Sequence, residues 1–221
     1  VFFVSCATHA PMSEMVMYTP KKVISEDKKN EVIKYYSKFS FGVSAQTDFL
    51  DYSALREYAN KKGHQGPIYD YDGSTITGGL VPIFLFDKND EFAFSLTTGF
   101  LFGVDATIKL YENYYLTGGY TAFGGGQVIL QKRVLNTYSK GASVGVFFDY
   151  LYQATDGNCS YVCLGPGYDD IFYVHVVGLR GNFLATEAEK NRSFLSLNSK
   201  VGYLFETQTP YLSLGVTLGA Y

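Results

Sequence analysis

The residues of this chain whose types allow chemistry are few: three cysteines, three histidines and a scatter of charged side chains. Cys159 and Cys163 stand in "NCSYVCLGPGYDD", between Asp156-Gly157-Asn158 and Gly165-Pro166-Gly167, so the stretch reads as loop. Their spacing permits a disulfide closing a small loop in an oxidising compartment, which leaves Cys6 as the odd thiol. A metal centre needs further ligands, and no His or Cys cluster lies nearby. His9, His64 and His175 are far apart in the chain. Around His175, "FYVHVVGLRGNF" supplies no serine for a nucleophile and base pair. The reading therefore assigns no catalytic residue, no metal and no cofactor, and takes His175 as an interfacial or packed residue.

The charges are better organised. Asp105, Lys109, Gln127, Gln131, Arg133, Asp149, Arg180 and Lys200 fall in segments where large apolar residues alternate with small or polar ones, and they fall on the polar side. The elements that must position them are strands. At the end of the sequence, "YLSLGVTLGAY" sets Leu212, Leu214, Val216 and Leu218 against Ser213, Gly215 and Thr217. A strand with one face in a soluble core is bulky inside and polar outside. Here the second face carries only Ser, Gly and Thr, which suits a narrow polar lumen with the Leu and Val face toward lipid or a second packed layer. Charges of both signs in a narrow lumen should pair across it, because an unpaired buried charge is costly. The predicted role of Asp105, Lys109, Asp149, Arg180 and Lys200 is thus a charge network that plugs the barrel, with a selective pore as the competing role.

Composition agrees with strands. Aromatic residues make up 17% of the chain, with 20 Tyr, 18 Phe and no Trp, alongside 23 Gly, a balance that suits pleated surfaces and tight turns. A formal charge of −3 excludes the basic footprint that nucleic-acid binding needs. No stretch approaches the roughly 20 apolar residues of a membrane-spanning helix, whereas a barrel strand needs only about 9 to 11 alternating ones.

The alternation gives about eight strands, at 36–49, 73–87, 91–111, 114–135, 139–152, 170–184, 193–206 and 210–221, with ten as the other possible count. Pro82 predicts a bulge or disturbed pairing in "TITGGLVPIFLF", and the glycines from Gly118 to Gly126 predict a strongly bent strand. The connections 50–72 and 153–169 are long and should face outward together. The turns at Glu112-Asn113 and Thr207-Gln208-Thr209, which an eight-strand count puts at the same end, are short; a ten-strand count would redistribute them.

Over residues 36 to 221 the chain resembles the small bacterial outer-membrane barrels of the OmpX-like and OmpW-like group, with "GVDATIKLYENYYLTGGYTAF" matching a strand, a two-residue turn and an aromatic-rich return strand, and Tyr221 supplying a terminal aromatic. The start, Val1-Phe2-Phe3-Val4-Ser5-Cys6-Ala7, resembles a lipoprotein lipobox, in which Cys6 would carry the lipid; an ordinary signal-peptide remnant is the other reading. The resemblance implies an exported all-β protein, an antiparallel up-and-down transmembrane β-barrel. Residues 1–6 would be signal remnant or lipobox, 7–35 a tether with a short helix, and 36–221 the barrel. Its partners would be the outer-membrane bilayer and a surface ligand or protein met through loops 50–72 and 153–169, in a structural or interaction role rather than an enzymatic one. A small-ligand transport or binding barrel, either a pore or a lipocalin-like cup, is the alternative.

Overall fold

The computed structural model describes residues 39–63, 79–85, 92–99, 103–121, 125–136, 140–154, 171–187 and 193–220. Cys6, Cys159, Cys163, Tyr221 and the expected tether at 7–35 lie outside the described residues. Ten strands form the fold: β1 Phe39–Phe49, β2 Gly79–Leu85, β3 Phe92–Gly99, β4 Gly103–Tyr111, β5 Tyr114–Thr121, β6 Gly125–Asn136, β7 Lys140–Ala154, β8 Ile171–Glu187, β9 Ser193–Leu204 and β10 Thr209–Ala220. Each pairs antiparallel with its neighbours in sequence, and β1 pairs with β10, so the sheet closes into an up-and-down barrel. Closure gives β10 a neighbour on both sides and β1 a second neighbour beside β2, which it pairs over Phe39–Ser44, so no strand is the first or last of the sheet.

The count among the described residues is ten rather than eight because the stretches 91–111 and 114–135 each hold two paired strands, β3 with β4 and β5 with β6. Three residues separate the strands in each pair. An odd spacing preserves parity: Phe94 pairs with Ala106 and Ser95 with Asp105, so even residues stay on one face through the reversal. Parity therefore carries across the connection and conceals it; within the two connections only Leu101 and Phe123 stand out as apolar residues on the polar side. The glycines expected to bend one strand instead flank the second of these connections. Gly125 opens β6 with φ +101°, and a Cβ there would lie 1.7 Å from the Tyr150 carbonyl oxygen. At Pro82 the register does not shift: Pro82 pairs with Phe41 of β1, while the ladder to β3 is interrupted between Leu80 and Ile83.

With ten strands the connections sort by end. The strand ends that bound 50–78, 100–102, 122–124, 155–170 and 205–208 are at one mouth; those that bound 86–91, 112–113, 137–139 and 188–192 are at the other, beside the start of β1 and the end of β10. Following the register from Tyr211 through Gly202, Gly178, Phe147, Ile129, Thr117, Thr107 and Ala93 to Leu85, the path leaves beside Phe49 and returns beside Phe39. The stagger around the barrel is thus about the length of β1, which requires tilted strands.

One helix, α1 (Tyr52–Lys61), follows β1 where a loop was expected. Its signals are local. Asp51 caps it, Oδ1 accepting the Ala54 N–H at 3.0 Å; Leu55 and Ala59 recur at helical spacing; Lys61 sits in the last turn and Gly63 takes a positive φ just past the end. Leu55 and Ala59 are buried against Ile129, Phe147, Leu151, Val174, Val176, Leu204 and Tyr211, the inner-face residues of β6 to β10 at the mouth with the longest connections. Burying one leucine and one alanine this way stabilises by about 2 to 4 kcal/mol.

Inner-face glycines make room in this barrel. At Gly178 a Cβ would lie 2.1 Å from the Val201 carbonyl oxygen and 2.5 Å from the Gly202 Cα, whereas one at Gly118 would meet nothing within 4 Å. Gly178→Ala should therefore destabilise the barrel by about 1 to 3 kcal/mol, and Gly118→Ala should be neutral or slightly stabilising, both read from denaturant midpoints of refolded protein.

Candidate functional site: the polar network of the inner face

Two lateral rows of the inner face carry the chemistry. The first joins Tyr115, Gln131, Gly145, Arg180, Lys200, Ser213 and Asp48 across β5 to β10 and β1. Arg180 and Lys200 are neighbours in it, and two cations side by side repel. They turn opposite ways. Arg180 reaches past Gly145, which offers no side chain, and its Nη1 donates to Gln131 Oε1 at 3.3 Å. Ser143 Oγ donates to the same oxygen at 3.3 Å, and Gln131 Nε2 donates onward to Thr117 Oγ1 at 3.3 Å, which in turn bonds Thr107 Oγ1 at 2.8 Å.

Lys200 turns toward the α1 mouth. The adjacent row reads Phe147, Gly178, Gly202, Tyr211, so two glycines leave a corridor flanked by two rings. The Lys200 ammonium lies 5.0 Å from the Phe147 ring centre, whose own distance to the Tyr211 ring is 6.2 Å. Beyond the corridor Lys200 Nζ meets Asp149 Oδ2 at 2.6 Å and Gln127 Oε1 at 3.0 Å. Asp149 and Gln127 are register partners on β7 and β6, with Asp105 further along that row. Tyr211 donates its hydroxyl to Asp48 Oδ1 at 2.9 Å, and Arg133 lies over the Tyr115 ring at 4.7 Å. Asp48, Asp105 and Asp149 on one side and Arg133, Arg180 and Lys200 on the other are all buried, so the acids and bases among the described buried residues balance.

Of the five residues expected to form the lumen network, the structure brings Asp149 and Lys200 into direct contact, places Arg180 beside Lys200, and buries Asp105. Lys109 is a correction: it is exposed. It pairs with Tyr115 next to the β4–β5 irregularity, near the turn at 112–113, where the inner face opens to the rim. Sequence reasoning missed Asp48, the aromatic pair Phe147 and Tyr211, and the whole of α1. The signal for Phe147 was present, since Phe147 and Leu151 are the two bulky exceptions on the small face of their strand.

The outer face carries a separate pair. His175 lies outward near the α1 mouth, its N–H donating to Glu206 Oε2 at 2.8 Å and its Nδ1 lying 2.5 Å from Glu206 Oε1. Phe148 and Tyr150 flank its ring at 5.7 and 5.1 Å. Glu206 thus fixes the turn at 205–208 to β8. No group of three metal-ligating side chains occurs among the described residues.

No protein-family model matches the chain, and no curated protein matches it. Among solved structures it is similar to the crystal structure of the Acinetobacter baumannii outer membrane protein Omp33, with 9% identity over 83% of this chain and 97% of that one, at a TM-score of 0.27. Values this low do not place the chain in that protein's family.

Asp149 Oδ1 has no hydrogen-bond partner among the described residues, so Lys200 is the main compensation for that carboxylate. Lys200→Met should cost about 3 to 5 kcal/mol, because it strands a buried charge, and adding Asp149→Leu should recover most of the loss. A double-mutant cycle on the unfolding free energy measures both.

Proposed function

We propose that this chain is a bacterial outer-membrane barrel with a closed lumen, serving a structural or surface-interaction role through the mouth that carries α1 and the connections 50–78 and 155–170. The observation that carries the proposal is the distribution of its side chains. Leu130, Val146, Leu179, Val201, Leu214 and Leu218 on β6 to β10 face outward and are exposed, Leu179 to 67%, while Asp105, Asp149, Arg180 and Lys200 are buried. A water-soluble barrel of the lipocalin kind has the reverse arrangement, and a belt this continuous on a soluble monomer would mark an interaction site. Rings lie near both edges of the belt. Tyr120, Tyr150, Tyr173, Tyr203 and Phe205 lie toward the α1 mouth, with Tyr150 stacked on Tyr173 at 4.4 Å, and Tyr111 and Tyr114 lie at the other. Paired aromatic girdles are what the two membrane interfaces select.

The structural role follows from the filling of the lumen. A conducting pore keeps a water path lined by one dominant sign or by uncommitted polar groups, whereas here opposite charges pair and two rings and a helix fill the α1 end. The proposal assigns no catalysis and no cofactor, and its partner is the bilayer, with a protein or ligand met at the α1 mouth.

Two results are expected. Leu214→Arg should cost about 2 to 4 kcal/mol when unfolding is measured from lipid vesicles, the value for a cation near the bilayer midplane, and should cost much less if Leu214 faces water. In planar bilayers the purified protein should give no steady conductance; open-channel currents would replace the closed barrel with the transport reading.

A further inference from the structure

Two different chemistries fill the lumen beside β6 to β10. Deep inside, the Lys200–Asp149–Gln127 contact and the Arg180–Gln131 contact link the inner faces of β6 to β9. At the α1 mouth the filling is apolar: Leu55 and Ala59 rest in a cup of Ile129, Leu151, Val174, Val176 and Leu204. These aliphatic residues form the buried apolar cluster at that mouth, in a barrel whose inner face elsewhere is mostly Ser, Thr, Gln, Asn and charges, with Tyr115, Leu184 and Phe194 as further buried apolar side chains.

The helix satisfies its own ends with local hydrogen bonds. Its first turn is capped by its own Asp51, and its last by the Lys62 N–H on Tyr58 and Ala59 carbonyls and the Gly63 N–H on that of Asn60. Glu57 and Lys61 pair on its exposed face at 2.6 Å. The ladder of β1 does not involve the helix: β1 pairs with β10 over Phe41–Phe49 and with β2 over Phe39–Ser44. No ladder bond must break for the helix to leave. Its fully buried residues are Leu55 and Ala59, with Leu50, Tyr52 and Tyr58 packed partly against the same cup.

We propose that α1 is a lid that lifts from the barrel as a folded unit, uncovering an apolar cup above the ion network while the wall and the network stay intact. Lifting presents the aliphatic cup at the α1 mouth and opens no water path through the barrel. This inference does not depend on the membrane reading.

Cysteine reactivity tests it, in protein whose Cys6, Cys159 and Cys163 are replaced by serine. Val174→Cys reports on the cup, and Leu184→Cys, buried in the lumen away from that cluster, reports on the wall. With a polar maleimide, folded Val174→Cys protein should react slowly, and adding Leu55→Asp should speed the reaction by about tenfold or more. Leu184→Cys should stay slow with Leu55→Asp, and the outward Glu57→Gln should change neither rate. Heat-modifiable gel migration checks that each variant is a folded barrel. Failure of Leu55→Asp to fold would overturn the proposal, because a lid can leave without unfolding the wall. So would an unchanged Val174→Cys rate in folded Leu55→Asp protein, or a parallel rise at Leu184→Cys. Leu55→Ala, a milder change, should give an intermediate Val174→Cys rate if the lid is real and the parent rate if it is not.

Discussion

A strand's N–H and C=O groups need partners on both sides, and here that need is met by closure: β1 hydrogen-bonds to β10, so the sheet has no first or last strand. The rest of the structure depends on this ring. Once it closes, each strand has one face outside and one inside, and parity alone decides which residue meets which environment. The same ring leaves α1 without a place in the sheet, so the helix is held by packing in the mouth rather than by the ladder.

Inside the ring, space is the scarce quantity, and glycine supplies it where two groups must meet across a strand. Gly145 stands between Gln131 and Arg180 in the register, and Gly178 and Gly202 stand between Phe147 and Tyr211. Without those gaps Arg180 and Lys200, adjacent in one row, could not diverge to separate acceptors. A buried ion pair is weak evidence for stability, because desolvation offsets much of the attraction. Its value in this barrel is in filling the interior with a fixed set of partners, which also suits an equal number of buried acids and bases.

Much of this was legible in the sequence because alternation is a direct image of a two-sided sheet. Leu214 against Ser213 and Thr217, or Val146 against Asp149, can be read without coordinates. The strand count was not, since the three-residue connections 100–102 and 122–124 preserve parity and interrupt the pattern only through Leu101 and Phe123, apolar residues on the polar side. Lys109 shows the limit in another way: parity gives the face but not the depth, and a residue of inward parity at the rim is exposed. The contact between Lys200 and Asp149 joins strands far apart in sequence, so no local pattern could pair them. Helix α1 was legible in principle, through Asp51, Leu55, Ala59 and Gly63, but its amphipathic pattern is short and carries only two buried residues.

The central claim is that the large apolar side chains of this barrel face lipid and the small polar ones face a closed interior. Nitroxide labels placed singly at positions 213, 214, 216, 217 and 218 of β10, in protein reconstituted into lipid vesicles, test it most directly. High oxygen accessibility at 214, 216 and 218, with low accessibility to both oxygen and a water-soluble relaxation agent at 213 and 217, is the predicted result. High accessibility of 214, 216 and 218 to the water-soluble agent, or no alternation along the strand, would contradict it.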